Sequence, residues 1–242
     1  MQSSDELRMA PMPVSPVVGC LPFLLLFFLM CLLPMIIYDV GRAAMERLGL
    51  SPLTASLSVL SIFLGSLFNI PLFRIERDEL QPELPFGPFG VVYPRQYRRV
   101  QSLTVIAVNV GGCLVPLVIA VAQILRLLAY GPGALLAVLL VSTINIYACY
   151  RVARPVPGIG IMMPGFVSPL VAVAATWLVL YGATSDQRAA TAFVAGVMGP
   201  VVGADLMHLR DVTRTPVAVM SIGGAGTFDG IVLSGVLAAL LA

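Results

Sequence analysis

From residue 17 to residue 37 the chain carries no charge, and the run centres on LPFLLLFFLMCLLP. A helix rises 1.5 Å per residue, so this run by itself spans the ~30 Å hydrocarbon core of a bilayer. Five further apolar stretches follow, at about 53–73, 102–125, 133–150, 161–181 and 189–207. A seventh, 217–242, is apolar but broken midway by GGAGTFDG. Only 11% of the 242 residues are charged, against roughly 25% in soluble domains, so the chain lacks the polar surface to coat a globule in water. Its 59% hydrophobic content is equally incompatible with disorder. The expected fold is all-α: a polytopic transmembrane bundle of about seven spans, one integral membrane domain over residues 1–242, with the last span discontinuous. Its first partner is the lipid bilayer.

Local signals mark the ends of these segments. Ser51 and Pro52 form an N-cap and first-turn pair before the second stretch. Gly131-Pro132-Gly133 is a turn between the third and fourth. Pro22 and Pro34 are tolerable inside a lipid-facing helix, and with no small-residue cleavage site after it the first stretch reads as an uncleaved anchor. The segment 74–100 is the one long polar loop; its prolines argue against a regular helix. Residues 151–165, RVARPVPGIGIMMPG, lack helical periodicity. With seven spans, the N-terminus and the connections 74–101, 151–160 and 208–216 share one side, which carries 10 arginines against 4 on the other. The positive-inside tendency then places the N-terminus in the cytoplasm and the protein in the cytoplasmic (inner) membrane.

Every basic side chain is Arg, and no basic run resembles a nucleic-acid footprint, so nucleic acid is not an expected partner. Cys20, Cys31, Cys113 and Cys149 all sit in apolar stretches without a CxxC spacing, which reads as packing rather than a disulfide framework. With a single histidine, His208, no metal site is expected, and no cofactor.

Three carboxylates lie in or at apolar stretches, where an ionisable side chain is a functional hypothesis by default. Asp39 ends the first stretch and reads as interfacial, paired with Arg42. Asp205, in PVVGADLMHLR, reads either as an interfacial partner of Arg210 or His208, or as a site residue. Asp229 ends the glycine-rich break, where irregular backbone within a membrane must be buried in protein or line a wet cavity. There Thr227 or Asp229 would cap the final half-helix and point its positive end into that cavity. Gly224 and Gly226 supply the backbone freedom of the break. Asn109, before Gly111-Gly112 and one turn from Pro116, suggests a second broken helix facing the first. Asn145 lies late in the fourth stretch, where buried Asn residues often bond helices together. Ser66-Leu-Phe-Asn69-Ile70 and Ser142-Thr-Ile-Asn145-Ile146 echo each other, as a parallel repeat or by chance.

VNVGG, ARPVPGIGI, GADLMHL and SIGGAGTFDGI resemble the motifs of an uncharacterised prokaryotic family of multipass membrane proteins, a domain-of-unknown-function family, over roughly residues 48–242. That resemblance implies membrane location and no activity. A slighter one is to intramembrane aspartyl proteases, which pair one Asp with another in G-x-G-D. Val202-Gly203-Ala204-Asp205 keeps one of those two glycines, and no Pro-Ala-Leu follows.

Three functional classes are thus open. A small transporter or permease would use Asp229 and Asp205 for a cation or proton, with Asn109, Gly224, Gly226 and Thr227 completing the site for a small solute. An intramembrane hydrolase would use Asp205 and Asp229 as a catalytic dyad. A structural or assembly protein would use its glycines for helix packing.

Overall fold

In a computed structural model the chain is mostly helical, and residues 16–82, 97–156, 160–212, 219–225 and 229–242 are described. Two contact units divide it, Met1–Asp39 and Val40–Ala242. The first holds the greater part of helix α1 (Pro16–Arg47), which runs through Pro22 and Pro34. Its side chains from Phe23 to Met30 are all more than half exposed, as expected of a surface that meets lipid.

Val40–Ala242 contains everything else. Among the described residues of the two units, four helical stretches are long and apolar enough to cross a membrane: Pro22–Arg47, Val110–Tyr130, Pro132–Val152 and Ser185–Leu206. Three further apolar helices are shorter, α2 (Pro52–Gly65), α5 (Val167–Val179) and α8 (Gly230–Leu241), the last preceded in the chain by the four-residue α7 (Leu209–Val212). With 14, 13 and 12 residues they extend only ~18–21 Å. Seven full spans are therefore not what the described residues form.

The missing length went into β-structure, which corrects the all-α expectation. Strand β1 (Asn69–Pro82) pairs antiparallel with β2 (Tyr97–Asn109), from Asn69↔Asn109 to Pro82↔Tyr97, with a bulge between Pro71 and Phe73. The expected loop 74–100 is thus a strand pair over its described parts. The expected third helix starts instead at Val110, and the second stops at Gly65. β-Branched residues fill five of the seven positions in Thr104–Val110, TVIAVNV, a composition that suits a pleated surface. Val105–Val108 also pairs in parallel with β5, Val219–Ile222, so the segment before the glycine-rich break is a strand and not a half-helix. Residues 151–165 contribute a second small sheet, β3 (Arg154–Val156) antiparallel to β4 (Gly160–Met162).

Helices α3 (Val115–Leu127), α4 (Pro132–Val152), α5 and α8 surround α6 (Ser185–Met198). From Ala189 to Val197 every residue of α6 is buried. Its small side chains allow this: a β-carbon on Gly196 would sit 2.8 Å from the Ser234 carbonyl oxygen of α8. Gly199 packs in the same way on Asn145, and Gly203 on the Ile146 carbonyl of α4. The start of α6 carries a full capping box between Thr184 and Gln187, which meets its first free N–H groups.

Asn145 forms the polar centre of this bundle. Its Nδ2 donates to Ser168 Oγ (2.9 Å) and to the Ala195 carbonyl (2.8 Å). Ser168 Oγ in turn lies 2.5 Å from Ser234 Oγ. Four helices are tied together in a site where an unpaired polar group would be costly. The sequence echo is not structural, since Asn69 opens a strand whereas Asn145 lies inside a helix.

Candidate functional site

Proline chemistry positions Asp205. Pro200 has no N–H, so it cannot bond the Gly196 carbonyl one turn back, and Ser168 Oγ donates to that carbonyl instead (3.4 Å). From Gly199 to Leu206 the chain continues α6 as a π-helix, closing with Met207 N–H donating to the Val202 carbonyl (3.0 Å). Such departures from α-geometry recur at functional sites. Asp205 rides on this segment, half-buried. Its neighbour His208 turns elsewhere: Nδ1 donates to the Ala204 carbonyl (2.9 Å), and the ring packs on Tyr150 at 5.0 Å.

Asp229 is fixed by a cap. Its Oδ1 accepts from Ile231 N–H (3.0 Å) at the start of α8, and Oδ2 accepts from Ala225 N–H (3.3 Å) across the glycine-rich turn. The carboxylate therefore holds the turn and the helix end together, where the helix dipole favours negative charge. Gly223 takes φ +72, a value open to glycine at little cost. Gly224 N–H donates to the Ser221 carbonyl (3.0 Å). Gly226 and Thr227 lie outside the described residues.

These elements line a cavity of about 480 Å³. Its walls are β4 with Met163, the π-helical face of Pro200, Ala204 and Asp205, strand β5 with the turn Gly223–Ala225, and Asp229 to Ile231. Asp205 and Asp229, 24 residues apart in sequence, thus line the same space and are within electrostatic reach of each other. Among the described residues no hydrogen-bond donor or cation meets the Asp205 carboxylate.

Asn109 is placed elsewhere. It caps a second π-helical turn, Val110–Leu114, by accepting from Gly112 N–H at Oδ1 (2.7 Å). Its Nδ2 donates to the Ser66 carbonyl (2.9 Å) and to Asn69 Oδ1 (3.1 Å). Ser221 Oγ also donates to Asn69 Oδ1, at 2.5 Å. Asn109 is fully buried in this junction and is not among the described residues that line the cavity. The two breaks in helical geometry do touch, but through backbone at Gly112 and Gly223. Sequence reading gave no notice of the strand walls β4 and β5, met Asn69 only in the echo with Asn145, and gave Pro200 no role. The proline in MGPVVGAD was the available signal.

Arg42 pairs with Glu46 at 3.3 Å. Cys31, Cys113 and Cys149 are free thiols. Among the described residues no three His, Cys, Asp or Glu side chains gather into a metal-binding group.

Several helices long and apolar enough to cross a bilayer fit a membrane protein, and two carboxylates line the cavity among the described residues. The chain belongs to the family described as "Protein of unknown function (DUF1614)", whose model matches residues 63–241. No curated protein and no solved structure matches it.

Proposed function

We propose that the chain is a small transporter of the cytoplasmic membrane, coupled to a proton or a small cation through Asp205 and Asp229. One observation carries this reading: the two discontinuous elements, the π-helical end of α6 and the capped start of α8, each deliver a carboxylate to one cavity. Transporters use broken helices in this way because half-helix ends and unwound backbone can meet an ion that a continuous helix would exclude. Asp229, accepting at both oxygens, is the positioned charge. Asp205, with no partner among the described residues, is the group free to take and release the ion. The excess of arginine in the N-terminal segment and in the connections near the cavity supports a cytoplasmic setting for them.

The test is a reconstitution. Vesicles holding the full chain and a trapped pH-sensitive dye should take up protons under an imposed potential, and Asp205→Asn should stop uptake while the protein stays folded. Uptake unchanged in both Asp205→Asn and Asp229→Asn would refute the carboxylate role.

A second reading, an intramembrane hydrolase, is favoured by the cavity walls: β4 and β5 both border it, and a strand edge can hold an extended backbone. There one carboxylate would take a proton from water as the oxygen adds to a carbonyl carbon. The other, protonated, would give its proton to the carbonyl oxygen. Collapse of that adduct would break the bond to the leaving group, which departs with a proton. Release of new termini from membrane peptides, lost in Asp205→Asn, would favour this reading over transport.

A further inference from the structure

Three hydroxyls in the helical core have no hydrogen-bond partner among the described residues: Ser142 on α4, Thr176 on α5 and Thr191 on α6. All three are buried, Thr176 and Thr191 completely. An unpaired buried hydroxyl is costly, and in native proteins such groups are ordinarily met by internal water.

Their positions are set by helix direction. Asn145 contacts Ala195, and Ile146 with Cys149 contacts Gly203, so α4 and α6 run parallel. Ser142 and Thr191 each precede the Asn145–Ala195 level by about one turn, ~5.4 Å, and therefore share a level. Helix α5 runs the other way: Ser168 meets Asn145, while Ala172 and Ala175 cluster with Val141. Thr176 thus lies two turns beyond Ser168, on the same side as Ser142 and Thr191. Helix α8 also runs against α6, since Ser234 meets Gly196 and the Ala242 carbonyl accepts from Arg188 Nε (3.2 Å).

Along the helix axes these polar groups follow in series as rungs, with a wider step, ten residues on the α6 side and five on α8, between the cavity carboxylates and the level of Asn145. Asp205 and Asp229 stand at the cavity, Asn145, Ser168 and Ser234 come next, then Ser142 with Thr191, then Thr176. Arg188 and the end of α8 close the series, ~20 Å from Asp229 along thirteen residues of helix. The side chains around the upper rungs are largely alanines, including Ala172, Ala192 and Ala238.

We propose that this column holds a file of ordered waters, through which protons pass between the cavity carboxylates and the face of the bundle at Arg188. The proposal deepens the transporter reading and rests on it, since it names the proton as the coupled ion. A hydroxyl donates and accepts at once, so each rung can pass a proton on through a bridging water.

Two measurements on the full chain test it. A high-resolution experimental structure should show water bonded to Thr191 Oγ1 and Ser142 Oγ; a dry, closed column overturns the proposal. In dye-loaded vesicles, the near-isosteric Thr191→Val and Thr176→Val should slow proton uptake towards the protein-free rate without lowering thermal stability. Uptake unchanged in those variants but stopped by Asp205→Asn overturns the column and leaves the carboxylate reading intact. Uptake stopped by Thr191→Val but unaffected by both Asp→Asn variants overturns a path that ends at the carboxylates. No uptake by the wild-type chain overturns both.

Discussion

Gly112 and Gly223 lie backbone against backbone: a β-carbon on Gly223 would sit 2.6 Å from the Gly112 carbonyl carbon, and one on Gly112 would strike the Gly223 carbonyl oxygen. This contact joins the π-helical turn that opens the membrane-length stretch Val110–Tyr130 to the turn that carries Asp229. The two breaks in regular structure are one mechanical unit.

Gly112→Ala should therefore destabilise the protein, by about 1–3 kcal/mol, since backbone and not a flexible side chain must move. Gly133→Ala is the control: no atom lies within 4 Å of its added β-carbon, and inside α4 alanine gains roughly 0.5–1 kcal/mol over glycine. Apparent Tm values in detergent should move in opposite directions.

Asp229 has separable duties as cap and as charge. Asp229→Asn keeps a capping oxygen and should leave stability nearly unchanged, whereas Asp229→Ala should cost about 1 kcal/mol. Both should abolish proton uptake in vesicles. Wild-type uptake by Asp229→Asn would mean that the residue is a cap and nothing more.

Asn109 should behave as a structural residue. Asn109→Ala leaves the Gly112 N–H and the Ser66 carbonyl without their partner, and the loss should be about 2–3 kcal/mol. Transport per folded molecule should be retained. A stable protein with no transport would instead make Asn109 a ligand.

Pro200 is expected to trade stability against function. Pro200→Ala restores an N–H that can bond the Gly196 carbonyl and pull the segment towards α-geometry. A shift from π to α register turns Asp205 away from the cavity. The prediction is equal or higher thermal stability with reduced uptake; full uptake would show that the π-helical segment does not position Asp205.

Orientation is checked independently. A reporter inserted at residue 85 should read cytoplasmic, following the arginine bias, and an external signal would invert the arrangement and with it the direction of the column.

Much of the membrane character was open to reading in the linear sequence because hydropathy is a local property. The run 17–37, the turn at Gly131-Pro132 and the full length of α4 each depend on a few adjacent residues. A cap before the last apolar run was equally local, since Thr227 and Asp229 both follow the glycine-rich segment, and the structure gives the cap to Asp229. Hydropathy does not distinguish an apolar helix from an apolar strand, so 102–109 became a strand only because β1 and β5 offer it partners. Which polar groups face one another also lay beyond the sequence. Asn109 and Asp229 both stand beside glycine breaks, yet one locks a junction while the other lines a cavity. That difference arises where Pro200 diverts α6 into a π-helix, and where Gly203 admits the α4 backbone. Close packing between distant segments, not the character of either residue, brings Asp205 and Asp229 to the same cavity.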